Sequence, residues 1–333
     1  MHSSRLNPDI QIMKPTVIIT FAGASPHERA VLATLDAVVV HTPDFTHPDA
    51  IAAMPEADAI IVTLQRVDDA LLARLPKCKI VSRLGVGYDT IDVPAATRRG
   101  IWVGYQPDYG MDEVSAHAIA LLMACMRGIP KLNADTKAGV WGAAGVPPVK
   151  RLSDSTTSVI GFGRIGRATA AKARGLGMRV VVHDPVVSAD MISAAGCEAM
   201  SLQQALSAGD YVSLHTPLSE HTRNLINAQT LSWMKPTAYL INTARGGLID
   251  EAALLDALNR GVIRGAGLDV FVQEPAPADH PLISHPRVIA TPHFASYSEE
   301  AQHTLHTRGA EDVVRVLSGG RPRMPLNDVA VRV

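Results

Sequence analysis

The chain has 333 residues, too many for one ordinary domain and enough for two, each with its own core. Its 31 Lys and Arg against 32 Asp and Glu leave a formal net charge of -1, which offers no general attraction to nucleic acid or an anionic membrane. Three widely spaced cysteines, Cys78, Cys125 and Cys197, argue against a disulfide framework or a zinc motif and fit a reducing compartment.

The opening MHSSRLNPDIQIMKP lacks an apolar core of signal-peptide length, and no later stretch stays apolar for the roughly 20 residues of a membrane span, so a cytoplasmic protein is expected. Short β-branched runs then alternate with helical patterns: TVIIT, AVVVH, ADAIIVT, the helix DDALLARL, and CKIVSRLG. Such an alternation predicts a parallel sheet covered on both faces. The stretch from Asp112 to about Arg127, DEVSAHAIALLMACMR, reads as apolar all round and predicts a buried helix crossing between two domains. A loop rich in Gly and Pro, AGVWGAAGVPPVKRLSDST, breaks the pattern. A second series begins at Thr157 and runs through VVVHD, YVSLH, AYLINT, GAGLDV and VIAT. A helix starting near Ser298 and the tail GGRPRMPLNDV complete the chain order.

The second series opens with VIGFGRIG, residues 159–166. Gly161, Gly163 and Gly166 stand between the apolar strand TSVI and the helical stretch RIGRATAAKARGLG, with a second strand, MRVVVHD, next. That is the βαβ setting of a dinucleotide site. Gly161 permits the tight turn, Gly163 lets backbone approach a pyrophosphate, and Gly166 lets helix pack on strand. Arg164 and Ile165 complete the turn, and the helix N-terminus turns unpaired N–H groups toward the anion. Roughly twenty residues on, Asp184 ends the second strand, where a carboxylate accepts both ribose hydroxyls and repels a 2′-phosphate, so NAD is expected over NADP. The bland alternative is a structural glycine turn without a ligand.

In an open parallel sheet, ligands bind beyond the carboxyl ends of the strands. The residues just past each strand are therefore informative: His215, Thr216 and Pro217 after YVSL; Thr243, Ala244 and Arg245 at the end of AYLINTAR; Asp269 after GAGL, with Glu274 a short loop later; Pro292 and His293 after VIAT. His215, Thr216, Pro217, Thr243, Ala244 and Asp269 are candidate cofactor contacts. Arg245, Glu274 and His293 suit hydride chemistry on a 2-oxo acid. An imidazole both gives and takes a proton near neutrality, a neighbouring carboxylate favours the imidazolium and sets its tautomer, and a guanidinium fork holds a carboxylate and polarises a carbonyl. Taken singly, Arg245 also reads as a surface ion pair, Glu274 as a solvated loop acid and His293 as a core histidine. Elsewhere, His303 and His306 are read as surface histidines, Arg321 and Arg323 as part of a solvated tail, and His117 as a packed or hinge residue. No metal site is expected.

Together, VIGFGRIG, HTPL, INTARGGLIDE, GLDVFVQEP and TPHFASYSEEA, in this order, resemble the D-isomer-specific 2-hydroxyacid dehydrogenases, over about residues 55 to 325. PDYGMDEVSAHA and SYSEEA are most similar to the branch of C-terminal-binding-protein-like and phosphoglycerate dehydrogenase-like members. The resemblance implies that Arg245, Glu274 and His293 form the catalytic set. It also implies that the loop RLGVGYDTID holds the substrate carboxylate through the N–H groups of Val86 and Gly87, with Arg83 adding charge. The implied fold is two doubly wound parallel-sheet α/β domains: a discontinuous flavodoxin-like substrate-binding domain, residues 1–106 plus 298–333, and a Rossmann NAD-binding domain, residues 107–297, with the active-site cleft between. The implied cofactor is NAD(H) and the substrate a small 2-oxo or 2-hydroxy acid such as glyoxylate, hydroxypyruvate or phosphohydroxypyruvate. The resemblance further implies a homodimer through the NAD-binding domain, using the loop around Trp141 to Lys150. An NAD(H)-sensing corepressor-like scaffold is the alternative. Ser296 stands where the branch has Trp, which predicts a missing aromatic wall, and no regulatory domain is expected after the last helix.

Overall fold

The computed structural model describes residues 14–21, 25–142, 144–146 and 148–329; the opening stretch read for a signal peptide lies largely outside these described residues. The chain divides into two compact units, one formed by the part up to Tyr109 with the part from Glu299, the other by Gly110–Ser298. Among the described residues no helix is long and apolar enough to cross a membrane.

In the first unit β1 (Thr16–Thr20), β2 (Val38–Thr42), β3 (Ala57–Val62), β4 (Ile80–Arg83) and β5 (Trp102–Tyr105) alternate with α1 (Pro26–Leu32), α2 (Pro48–Ala53), α3 (Asp69–Ala73) and α4 (Val93–Arg98). The strands are parallel in the order β2-β1-β3-β4-β5, the flavodoxin-like arrangement. β1, β3 and β4 are buried along nearly their whole length, because a parallel sheet is covered on both faces. The local sequence starts each helix: Ser25, His47, Asp68 and Asp92 accept N–H groups of the first turn, and proline opens α1, α2 and α4.

The second unit begins with α5 (Met111–Arg127) and α6 (Ile129–Lys137). Then come β6 (Thr156–Ile160), α7 (Arg164–Gly175), β7 (Arg179–His183), α8 (Ala189–Ala194), β8 (Glu198–Ala199), α9 (Leu202–Ala208), β9 (Tyr211–Leu214), α10 (Ala228–Leu231), β10 (Tyr239–Asn242), α11 (Glu251–Arg260), β11 (Gly265–Leu268) and β12 (Val288–Ala290). Seven parallel strands run in the order β8-β7-β6-β9-β10-β11-β12, a Rossmann sheet extended by one strand. The order reverses between β6 and β9, and that switch point leaves a crevice at the carboxyl ends of the strands. One face packs on Ile160, Val181, Leu214, Leu240, Leu254 and Leu258, the other on Val159, Val182 and Ile241 with α5 and α7.

The helix from Asp112 differs from the expectation of burial all round. α5 buries one face, Ser115, Ala118, Leu121, Leu122, Cys125 and Met126, and that face packs on its own unit's sheet and α7. Ala and Met at its remaining positions cost nothing when exposed and are good helix formers, so apolar composition overstated burial.

The chain returns to the first unit with α12 (Glu299–Leu317), whose Leu305, Ala310, Val313 and Val316 pack with Val17, Ile19 and Leu84. His306 is not a bare surface histidine: its Nδ1 lies 2.6 Å from Oε1 of the buried Glu28. Nor is the tail after it merely solvated. Tyr105 N–H donates to the Met324 carbonyl, Leu326 N–H to the Val103 carbonyl, and Val103 N–H to Asn327 Oδ1. Arg323 reaches Gln106 Oε1 at 3.0 Å and Asp108 Oδ1 at 3.1 Å. A segment without regular structure thereby covers the β5 edge, whose N–H and C=O groups need partners.

Candidate active site

The switch-point crevice opens on the glycine turn. Gly161 has φ +96, and a Cβ there would stand 2.7 Å from the His215 backbone. A Cβ on Gly166 would run into the Gly161 carbonyl. The protein's own packing thus requires both glycines. Gly163 is different: it is exposed, and among the described residues nothing lies within 4 Å of where its Cβ would point. No protein atom demands glycine there, so the open space at the start of α7, which has no side-chain cap, fits the close approach of a pyrophosphate. Arg164 is exposed and Ile165 half-buried beside it.

Asp184 braces the turn. Its Oδ2 accepts the Phe162 N–H at 2.6 Å, and Oδ1 accepts those of Val186 and Val187 at 2.8 and 3.0 Å. Burial works to raise its pKa, but these backbone donors outweigh it and hold the carboxyl below its usual range. The acid read from the sequence as a ribose contact therefore also shapes the glycine loop.

Beyond β9, His215 donates its backbone N–H to the Ile160 carbonyl at 2.7 Å, and its Nε2 lies 2.8 Å from Ser213 Oγ. Desolvation pushes its pKa down to about 4, so the ring is neutral at pH 7. Thr216 and Pro217 come next, half-buried and exposed. Beyond β10, Asn242 cross-braces the next loop: Oδ1 accepts the Ala244 N–H at 3.0 Å and Nδ2 donates to the Arg245 carbonyl at 2.8 Å. Arg245 Nη1 donates to the Ala244 carbonyl at 2.8 Å. Among the described residues, the buried Thr243 hydroxyl has no hydrogen-bond partner.

Beyond β11 and β12 stand Glu274 and His293. His293 Nδ1 lies 2.6 Å from Glu274 Oε2, both side chains about a quarter exposed, at 28% and 25%. Glu274 Oε1 accepts the Phe271 N–H at 3.0 Å. Burial acts to raise Glu274, but the His293 hydrogen bond and charge, the Phe271 N–H and the Arg245 charge outweigh it, leaving the pKa below its usual value. An ionised Glu274 only accepts, so His293 carries its proton on Nδ1 and leaves Nε2 for exchange with a substrate.

His293 adopts φ +53, left-handed for a non-glycine residue, an arrangement that costs on the order of 1 kcal/mol and persists only when its surroundings enforce it. Asp269, completely buried, enforces it. Its carbonyl accepts the His293 N–H at 2.7 Å, and its carboxylate accepts the N–H groups of Phe294 and Ala295, both at 2.9 Å, and the Thr291 hydroxyl at 2.5 Å. Asp269, read from the sequence as a cofactor contact, is committed to the turn that carries His293. His117 reaches the same cluster from α5, its Nε2 3.1 Å from Thr291 Oγ1. On the same turn Phe294 and Tyr297 are exposed and stack with ring centroids 4.6 Å apart, and Ser296 stands between them in sequence.

In the first unit Arg83 is buried and bonds the loop after β4 from within, Nε donating to the Gly87 carbonyl at 2.8 Å and Nη1 to that of Leu84. Val86 and Gly87 are half-buried on that loop. Sequence reading missed Ser213, Asn242, Thr291 and the engagement of His117. The positions two before His215 and His293 were a usable signal, because alternate residues near a strand end share a face.

A family model, the NAD binding domain of the D-isomer specific 2-hydroxyacid dehydrogenases, matches residues 119–295. The chain belongs to this family. Its second unit carries the family's NAD-binding domain. Similar proteins include the D-3-phosphoglycerate dehydrogenase of Mycobacterium leprae, 40% identical over 270 residues, covering 81% of this chain and 51% of that one. They also include the glyoxylate reductase of Korarchaeum cryptofilum, 38% identical over 282 residues, covering 84% and 85%. Among solved structures, the D-lactate dehydrogenase of Aquifex aeolicus complexed with NAD and lactic acid superposes with a TM-score of 0.84 at 28% identity, covering 91% of this chain and 96% of that one. The chain spans about half the length of the phosphoglycerate dehydrogenases it matches.

Proposed function

We propose that this dehydrogenase-family chain transfers hydride between NAD(H) and a small 2-oxo or 2-hydroxy acid, of the kind glyoxylate, hydroxypyruvate, phosphohydroxypyruvate or lactate represents. The observation that carries the reading is the His293–Glu274 pair, with Nδ1 on the carboxylate and Nε2 left for proton exchange. When bound, the nicotinamide supplies or accepts the hydride. The chain's residues handle the rest. In reduction, His293 gives its Nε2 proton to the carbonyl oxygen as the carbonyl carbon takes up hydride, and Glu274 stabilises the imidazolium before transfer. Arg245 holds the substrate carboxylate and polarises the carbonyl. Val86 and Gly87 offer backbone N–H groups to the same carboxylate, on a loop that Arg83 shapes. Gly161, Gly163, Arg164, Ile165 and Gly166 bind the pyrophosphate, and Asp184 the ribose. His215, Thr216, Pro217, Thr243 and Ala244 line the remainder, and a cofactor group would satisfy the orphaned Thr243 hydroxyl.

In the same reading residues 1–106 plus 298–333 bind substrate and residues 107–297 bind NAD. The chain acts in the cytoplasm as a homodimer through the second unit, where Trp141 is 91% exposed. The test is NADH consumption by purified protein against a panel of 2-oxo acids, each repeated with NADPH. Turnover on one or two members with NADH favoured supports the reading. A silent panel with NADH still bound overturns it, and equal use of NADPH removes Asp184 from the ribose.

A further inference from the structure

We propose that His117 and Thr291 are positioning residues for His293, joined to it through Asp269. The proposal rests on His293 being the proton-transfer group.

A count of protons orders the line. The Thr291 hydroxyl has one hydrogen, and at 2.5 Å from Asp269 Oδ1 it gives that hydrogen to a carboxylate already accepting two backbone N–H groups. Toward His117 Nε2, 3.1 Å away, Thr291 Oγ1 has only a lone pair to offer. His117 must therefore carry its proton on Nε2. The same nitrogen lies 3.5 Å from Asp269 Oδ1, so the imidazole N–H that meets Thr291 Oγ1 also sits beside a carboxylate with no solvent exposure. Asp269 in turn fixes three successive backbone N–H groups, those of His293, Phe294 and Ala295, and so holds His293 in its left-handed conformation.

This line ties the turn to something stiff. His117 sits in the interior of the 17-residue α5, which packs on β10, β11 and α7. Thr291 comes one residue after β12. Removing the hydroxyl leaves Asp269 with one donor fewer in a dry site, and removing the imidazole leaves the Thr291 hydroxyl without its anchor on α5; either change frees the turn to relax, which displaces His293 Nε2. The proposed pyrophosphate and ribose contacts lie at the turn after β6 and at Asp184, which this line does not touch, so NADH affinity is not expected to change.

The experiment compares Thr291→Val and His117→Leu with the conservative Thr291→Ser and His117→Gln. The first pair should lose about tenfold in kcat, within the range that misplacement of a reacting group produces, with NADH affinity nearly unchanged. The conservative pair, which keeps a hydroxyl and a donor, should recover most of the rate. The double variant His117→Leu/Thr291→Val should lose no more than the worse single one, because both cut the same line. Independently of turnover, long-range proton–nitrogen NMR on histidine-labelled protein should show His117 as the Nε2–H tautomer and the His293 ring resonances displaced in Thr291→Val. An Nδ1–H tautomer at His117, or a wild-type kcat in Thr291→Val, overturns the proposal. If the wild-type protein turns over no substrate, NMR alone decides: unmoved His293 resonances in Thr291→Val then overturn it, while the missing turnover counts against the proposed activity.

Discussion

Glu274 and His293 are nineteen residues apart in sequence and 2.6 Å apart in space, and the proposed proton transfer rests on this pair. His293→Ala should lower kcat by about 10²–10⁴, the usual range for losing a general acid–base, while NADH titration stays unchanged; unchanged turnover removes His293 from that role. His215 carries a prediction about acidity. Its pKa is depressed to about 4 in the fold and lies near 6.5 unfolded, so the unfolded chain takes up the proton first. Its contribution is therefore complete above about pH 6.5 and falls as the pH drops toward 4, by as much as about 3 kcal/mol. Urea midpoints between those limits should fall less steeply with acid in His215→Asn, and parallel curves would assign the acid sensitivity to other groups. Arg245, Glu274 and His293 were legible because strand ends in a parallel sheet place residues at one edge. The pairing of Thr291 with His117 was not, because a hydroxyl and an imidazole distant in sequence announce no contact until the fold brings them to 3.1 Å.

The turn between β6 and α7 shows at the level of elements how three glycines of one motif differ. Gly161→Ala should destabilise the whole second unit, since its positive φ and the His215 backbone leave no room for a methyl group. Gly163→Ala should melt like the wild type yet bind NADH at least about tenfold more weakly, because its Cβ meets no protein atom and only obstructs the anion. Undiminished NADH binding in Gly163→Ala would move the pyrophosphate elsewhere. The tail is the opposite case. A Pro-rich composition reads as solvated chain, whereas Asn327 alone accepts from Val103 N–H and donates to the Thr97 hydroxyl and the Ile101 carbonyl. Asn327→Ala should cost about 1–3 kcal/mol, the usual loss when buried backbone groups are left unpaired, measurable by urea unfolding. The helix opening at Asp68 was readable from DDALLARL, because capping and helical periodicity are local. The one-sided burial of α5 was not, since its apolar residues do not say which of them will find a sheet.

At the scale of the whole molecule, the exposed Trp141, with Ile129, Val140 and Val149 also exposed nearby in sequence, underlies the proposed self-association. Trp141→Glu should shift the sedimentation of a dimer toward monomer at micromolar concentration without altering the far-ultraviolet spectrum; an unchanged sedimentation coefficient would place the interface on another surface. The sequence by itself determined the class of both units, since runs of β-branched residues between helical stretches are stable only as a covered parallel sheet. It also determined the dinucleotide turn, because the positive φ of Gly161 and the packing of Gly166 on the Gly161 carbonyl are settled within a few residues. Only the tertiary structure decided which strands are neighbours, that the Phe162 N–H closes on Asp184, which donors close on Asp269, and that the tail seals the β5 edge. Each of these is a choice of partner across a long stretch of chain. Hydrophobic burial drives such segments together without direction, and the hydrogen-bond partners are set by where packing leaves them.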